Sequence, residues 1–167
     1  STFANNSVTC AVGTAVINEL LKDEQKIIKE VKAKGEYLLK RAQNLKSSFP
    51  AIIKEVRGKG LMVGMEFFDF EDVGSFDITY ITDQKGFTAL LAGYLLNVYN
   101  IRFVPFLNNP MTLRLEPPLT ITYEEIDYVM DVIEKVCNIL DARDYAKLYK
   151  YLIGDNSKPE TITDYKL

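Results

Sequence analysis

The chain has 167 residues, 47% of them hydrophobic and 26% charged, enough for one packed domain with a single core but not comfortably for two. It contains no His and has a formal net charge of −3. That excludes a Ser–His or Cys–His nucleophile pair and any His-ligated metal or haem within the chain, and it makes a poor electrostatic footprint for nucleic acid.

Asn5, Asn6 and Ser7 are N-cap residues ahead of an apolar stretch, so a helix is expected from Val8 to Leu21. Lys22 to Gln25 breaks the pattern. A second helix is predicted from Lys26 to Phe49, with Ile28, Val31, Gly35, Leu38, Ala42, Leu45 and Phe49 spaced alternately by three and four residues as one narrow stripe. Gly35 on that stripe costs about 1 kcal/mol of helix propensity relative to Ala, which calls for close approach of a neighbouring element. Pro50 ends the helix.

Ile52–Val56 and Leu61–Phe68 read as strands on either side of the turn Arg57-Gly58-Lys59-Gly60. Leu61, Val63, Met65 and Phe67 share one face and Met62, Gly64, Glu66 and Phe68 the other. Both faces are largely apolar, so the strand is expected to be covered on both sides. Asp69 to Lys85 reads as a loop. Phe87 to Val98 has helical spacing, with Asn100 as its stop. Ile101–Phe106 and Met111–Leu115 read as a hairpin turning at Leu107–Pro110. Thr122 with Glu125 forms a capping box for a last helix, which is carried from Asp141 through Tyr145, Leu148 and Leu152. The end from Gly154 is polar and expected to fray. The order of elements predicts an α+β fold with a small, mainly antiparallel sheet and helices packed against it.

Other classes are excluded by what is missing. Ten Tyr and nine Phe against nine Gly and six Pro describe an ordered chain rather than a disordered one. No apolar run reaches the roughly 18 residues of a membrane span, and no secretory signal is visible. The two cysteines, Cys10 and Cys137, form no CxxC and so no zinc ribbon or thioredoxin-like site. They suit a reducing, cytoplasmic setting, with a disulfide left open. The start at Ser1-Thr2-Phe3 rather than Met raises the expectation of a piece from a longer polypeptide.

Few side chains carry candidate chemistry. Arg114, mid-strand before Pro117-Pro118, could present a guanidinium fork to a carboxylate or phosphate; the alternative is an ion pair with Glu116, on the same strand face. Ser1, Thr2, Asn5 and Asn6 precede a helix N-terminus and could hold an anion or simply cap it. Arg57-Gly58-Lys59-Gly60 lacks P-loop spacing and reads as a structural turn. Cys10 reads as buried packing, and the Lys and Glu residues between 22 and 41 as a solvated face.

Three stretches in order carry a resemblance: Ser1-Thr2-Phe3-Ala4-Asn5-Asn6 with the helix bearing Cys10, then Val56 to Glu66, then Leu113 to Thr122. Together, over residues 1 to 140, they resemble the C-terminal part of class III pyridoxal-phosphate aminotransferases of the ornithine and ω-amino-acid type. The resemblance implies the small C-terminal domain of a fold-type I enzyme: an interface segment and linking helix over 1–25, the domain proper to 140, and a helical extension and polar tail over 141–167. It implies that Thr2, with Ser1 close by, binds the cofactor phosphate across a homodimer interface, and that Arg114 anchors the carboxylate of the amino-acid or 2-oxo-acid substrate. It places the Schiff-base lysine upstream of this chain, in a large N-terminal domain, so the 167 residues alone are expected to be inactive. Ala4-Asn5-Asn6 departs from the family's Gly-Gly-Asn. The run from Leu107 to Thr120 is most similar to the putrescine and diamine branch, in which Arg114 would hold 2-oxoglutarate, with an acyl-chain or carrier-linked aldehyde as another substrate. The contrasting readings are a non-catalytic α+β binding module and a degenerate domain used for dimerisation.

Overall fold

The computed structural model describes residues 6–70, 74–104 and 109–153. Helix α1, Ser7–Ser48, starts at Asn6, whose side-chain oxygen accepts hydrogen bonds from the N–H groups of Val8 and Thr9. Inside it, Lys22 to Gln25 leave helical geometry, with Asp23, Glu24 and Gln25 at φ of 48°, 54° and 63°. The two helical segments expected from the sequence are therefore both present, separated by a kink at the expected residues. Gly35, Leu38, Ala42 and Leu45 form the buried stripe of the second segment.

Strands β1 (Ile53–Lys59) and β2 (Met62–Phe67) form an antiparallel hairpin, and β3 (Thr112–Leu115) pairs antiparallel with the far side of β2. Gly60, at φ +57°, supplies the left-handed turn residue. The turn meets α1 at Gly35, where an added Cβ would lie 2.4 Å from the Gly60 carbonyl carbon. This is the close approach that the glycine on the helix stripe demanded.

Val63, Met65 and Phe67 of β2, with Leu113 and Leu115 of β3, face one apolar core shared with α1 and the later helices. The opposite face is not covered as expected: Met62 is 68% and Phe68 41% exposed. Among the described residues one face packs on the core, as antiparallel sheets commonly do, and the other carries charged side chains, which leave Glu66 only 8% exposed.

The remaining helices are α2 (Phe76–Asp83), α3 (Phe87–Tyr99), α4 (Tyr123–Asp141) and α5 (Ala146–Tyr149), the last continued by a 3₁₀ turn, Lys150–Ile153. Helix α2 corrects the loop expected over Asp69–Lys85. Its buried residues Ile78 and Thr82 are four apart, one helical repeat, but the segment is too short and too rich in β-branched residues to announce itself. Asn100 stops α3 in the left-handed conformation at φ 57°, as expected. The capping box of α4 is complete: Glu125 N–H donates to Thr122 Oγ1 at 3.1 Å and Thr122 N–H to Glu125 Oε2 at 2.7 Å.

Two further expectations change. Residues 101–104 form no strand, and residues 105–108, the rest of the expected strand and the start of its turn, lie outside the described residues; β3 takes its partner from β2. The last helix does not run on from Asp141. Arg143 turns left-handed at φ 56° and sends the chain back, burying Tyr145 and Leu148 in the core. The fold is α+β, with a small antiparallel sheet and helices against it.

Candidate functional site

Arg114 is the predicted site residue that the described structure places. Alternation along β3 sends Leu113 and Leu115 into the core and Thr112 and Arg114 to the open face. The Arg114 side chain is 23% exposed, and its Nη1 donates to Glu116 Oε1 at 3.1 Å and Oε2 at 3.4 Å. The ion pair read from the sequence is therefore formed. It occupies one nitrogen of the guanidinium, and among the described residues the Nε and Nη2 donors have no hydrogen-bond partner, so an edge suited to a carboxylate is left.

Arg114 and Glu116 line a cleft of about 450 Å³, which is closed on other sides by Phe103, Pro117, Ile126 and Val129. Its volume falls within the range of small-molecule sites, and apolar walls with few charged groups are their usual composition. Arg102 and Glu125 also line it. The Pro117-Pro118 pair ends β3 beside Glu116, since neither residue can donate to a ladder.

Register places a second group of charges on the same open face. Arg57, Gly64 and Arg114 form one cross-strand row, and Glu55, Glu66 and Thr112 the next. Glu66 is only 8% exposed, yet charged neighbours satisfy it: Lys54 Nζ lies 2.8 Å from Oε1 and Arg57 Nη1 2.7 Å from Oε2. Hydrogen bonds from Lys54 and then Arg57 lower the Glu66 carboxyl below its usual range, and Glu66 in turn raises Lys54 and Arg57. The sequence reading missed this cluster. Strict alternation puts Lys54 on the face opposite Glu55, but a register shift between Ile53 and Glu55 brings Lys54 to Glu66.

Ser1 and Thr2, the expected cofactor-phosphate residues, lie outside the described residues, as do Ala4 and Asn5. Cys10 is exposed on α1 rather than packed, because the first segment of that helix makes few contacts. Cys137 is buried, which pushes its thiol up to about 12, and both cysteines are free. No group of three His, Cys, Asp or Glu able to hold a metal occurs among the described residues. No described helix is long and apolar enough to cross a membrane.

Comparison with known proteins places these features in a wider setting. Residues 1–137 match the family model "Aminotransferase class-III". Among solved structures, an adenosylmethionine-8-amino-7-oxononanoate aminotransferase from Methanocaldococcus jannaschii is 25% identical, with a TM-score of 0.60 over 80% of this chain and 28% of that one. A Bacillus anthracis aminotransferase is 22% identical, with a TM-score of 0.60 over 83% of this chain and 29% of that one. A lysine aminotransferase from M. tuberculosis is 24% identical, with a TM-score of 0.55 over 71% of this chain and 23% of that one. The chain thus spans less than a third of the length of the structures it resembles.

Proposed function

Because the chain belongs to the class III aminotransferase family, we propose that it is the C-terminal part of a pyridoxal-phosphate-dependent transaminase. The parent enzyme would transfer an amino group from an amine, diamine or ω-amino acid to a 2-oxo acid such as 2-oxoglutarate. The observation that carries this reading is Arg114, held on the open face of β3 beside an apolar cleft with one guanidinium edge unoccupied among the described residues. A charge-assisted contact between that edge and a substrate carboxylate contributes roughly 1.5–3 kcal/mol.

The family works with pyridoxal phosphate, but the described residues by themselves do not fit that group. The start of α1 offers no phosphate cradle, since Asn6 Oδ1 already accepts from Val8 N–H at 3.0 Å and Thr9 N–H at 3.2 Å. Ser1 and Thr2, ahead of that cap, are assigned to the phosphate, and the lysine that carries the cofactor is assigned to polypeptide upstream. On this reading the chain alone does not transaminate; it supplies a carboxylate anchor and one side of the cofactor phosphate site.

Residues 1–25 are assigned to an interface with the large domain and a second subunit. Val8, Val12, Val16, Ile17 and Leu21 are all more than half exposed on the first segment of α1, an apolar surface that favours contact with protein. The same surface favours the second reading, a dimerisation module without catalysis. The substrate of the parent is assigned to the diamine branch, and its location to the cytoplasm.

Two measurements separate these readings. The native polypeptide is reduced with borohydride and its peptides are searched for phosphopyridoxyl-lysine, and Arg114→Ala is assayed with 2-oxoglutarate. The transaminase reading expects an adduct upstream of Ser1 and an acceptor KM raised about 10- to 100-fold. Absence of the adduct from the native polypeptide leaves the dimerisation module, and an unchanged KM removes Arg114 from the site.

A further inference from the structure

Two carboxylates neighbour Arg114 in the register of the sheet's open face, and only one of them contacts it. Glu116 lies two residues along the same strand and contacts Nη1. Glu66 sits on the neighbouring strand, opposite Thr112, while Gly64 sits opposite Arg114. Glu66 is therefore the diagonal neighbour of Arg114, a relation in which Cα atoms are about 7–8 Å apart and long side chains meet. Gly64 adds no side chain there, and the small group lying over it is the Thr112 methyl, 3.3 Å from where a Gly64 Cβ would be.

Glu66 nonetheless turns the other way. Its two oxygens are taken one each by Lys54 and Arg57, both on β1. Arg57 also bonds Glu55, so it is itself held on the β1 side, and the bulge that aims Lys54 at Glu66 serves the same arrangement. A carboxylate as enclosed as Glu66 does not remain without a cation, because an uncompensated charge in that setting is costly. With its β1 partners weakened, the next cation on the face is Arg114.

We propose that Arg57 and Lys54 are positioning residues for substrate recognition: by holding Glu66 on the β1 side, they prevent it from closing on Arg114 and so keep the Nε–Nη2 edge free for a substrate carboxylate. This rests on the reading of Arg114 as the carboxylate anchor. A dicarboxylate acceptor meets a guanidinium with one edge open; a donor amine without a carboxylate is indifferent to the arrangement.

The test is binding of glutarate, a non-reacting dicarboxylate of the same chain length as 2-oxoglutarate, to the full-length native polypeptide by titration calorimetry. Arg57→Ala is expected to weaken glutarate binding about tenfold. Adding Glu66→Gln to Arg57→Ala is expected to restore it to within about twofold of wild type, because a neutral amide no longer competes for the guanidinium. Neutralising Glu66 also relieves the uncompensated charge of a merely structural cluster, so the denaturant midpoint is read beside binding. A structural Arg57 predicts that glutarate binding is lost only in step with stability, whereas the positioning role predicts weakened binding in Arg57→Ala under conditions where the variant is fully folded. If Arg57→Ala does not fold, Lys54→Ala removes a cation from the solvated rim of the cluster and is expected to show a smaller loss with the same rescue. Unchanged binding in Arg57→Ala, or a loss that Glu66→Gln does not repair, overturns the proposal. Arg114→Ala keeps the two readings apart. If it abolishes glutarate binding while Arg57→Ala leaves it intact, only the positioning role falls; if it has no effect, the anchor reading falls and this proposal with it.

Discussion

Arg143 ends α4 in a left-handed conformation, at φ 56°, that costs an L-residue with a Cβ roughly 1 kcal/mol relative to Gly. Asp144 N–H bonds the Ile139 carbonyl across it at 3.1 Å, the pairing of a helix-terminating cap. Arg143→Gly is therefore expected to stabilise the native polypeptide by about 1 kcal/mol, read as a rise in the denaturant midpoint. The same comparison explains why this stop was illegible and that of α3 was not. Asn100 belongs to the few residue types that enter this region readily, whereas an Arg gives no such signal. Glu66 carries a second prediction at this scale. Its carboxyl is lowered in the folded state, first by Lys54 and then by Arg57. A lowered acid contributes stability that is present above its unfolded value, about 4.5, and lost as pH falls through the folded one. Glu66→Gln should accordingly flatten the acid limb of the stability profile below about pH 4.5, in unfolding curves taken at successive pH values. A limb as steep as that of the wild type would show that the cluster contributes nothing to acid stability.

Elements were legible where the pattern was long. The α1 stripe from Val31 to Leu45 and the capping box of α4 could be read directly, because an amphipathic face and a cap are local consequences of residue type. Gly35 shows how a local misfit can report a tertiary contact. Its would-be Cβ lies 2.4–2.5 Å from backbone atoms of Gly60, which cannot rotate away as a side-chain end would. Gly35→Ala gains about 1 kcal/mol of helix propensity but forces the hairpin turn off the helix, at a cost of about 1–3 kcal/mol. A net loss of up to about 2 kcal/mol is expected, measurable by denaturant unfolding of the native polypeptide. A gain in stability would mean that the helix and hairpin are not in contact there. The misreading over residues 101–104 has the opposite origin. Ile101 and Phe103 are half-buried and alternate with the exposed Arg102 and Val104, but alternation alone does not choose a strand partner. Here β3 pairs with β2, and residues 101–104 wall the cleft instead.

For the molecule as a whole, the family match ends at residue 137, while the core does not. Tyr145 and Leu148, beyond that limit, are 5% and 0% exposed, and Tyr151 packs beside Tyr94 of α3. Leu148→Ala is expected to cost about 2–5 kcal/mol in equilibrium unfolding of the native polypeptide, as for other fully buried leucines. A change below about 0.5 kcal/mol, the range of surface positions, would make the extension an appendage rather than part of the core. The sequence by itself determined the α+β class, the two segments of α1 and the caps, because periodicity, capping and turn chemistry act within a few residues. It also brought Arg114 forward as a candidate, and left open whether Glu116 or a ligand claims it. Only the tertiary structure decided that one sheet face stays open, that Lys54, Arg57 and Glu66 gather on it beside Arg114, and that the chain folds back after Asp141. Those outcomes depend on register, a bulge and long-range packing, which bring together residues on different strands and helices that no local pattern connects.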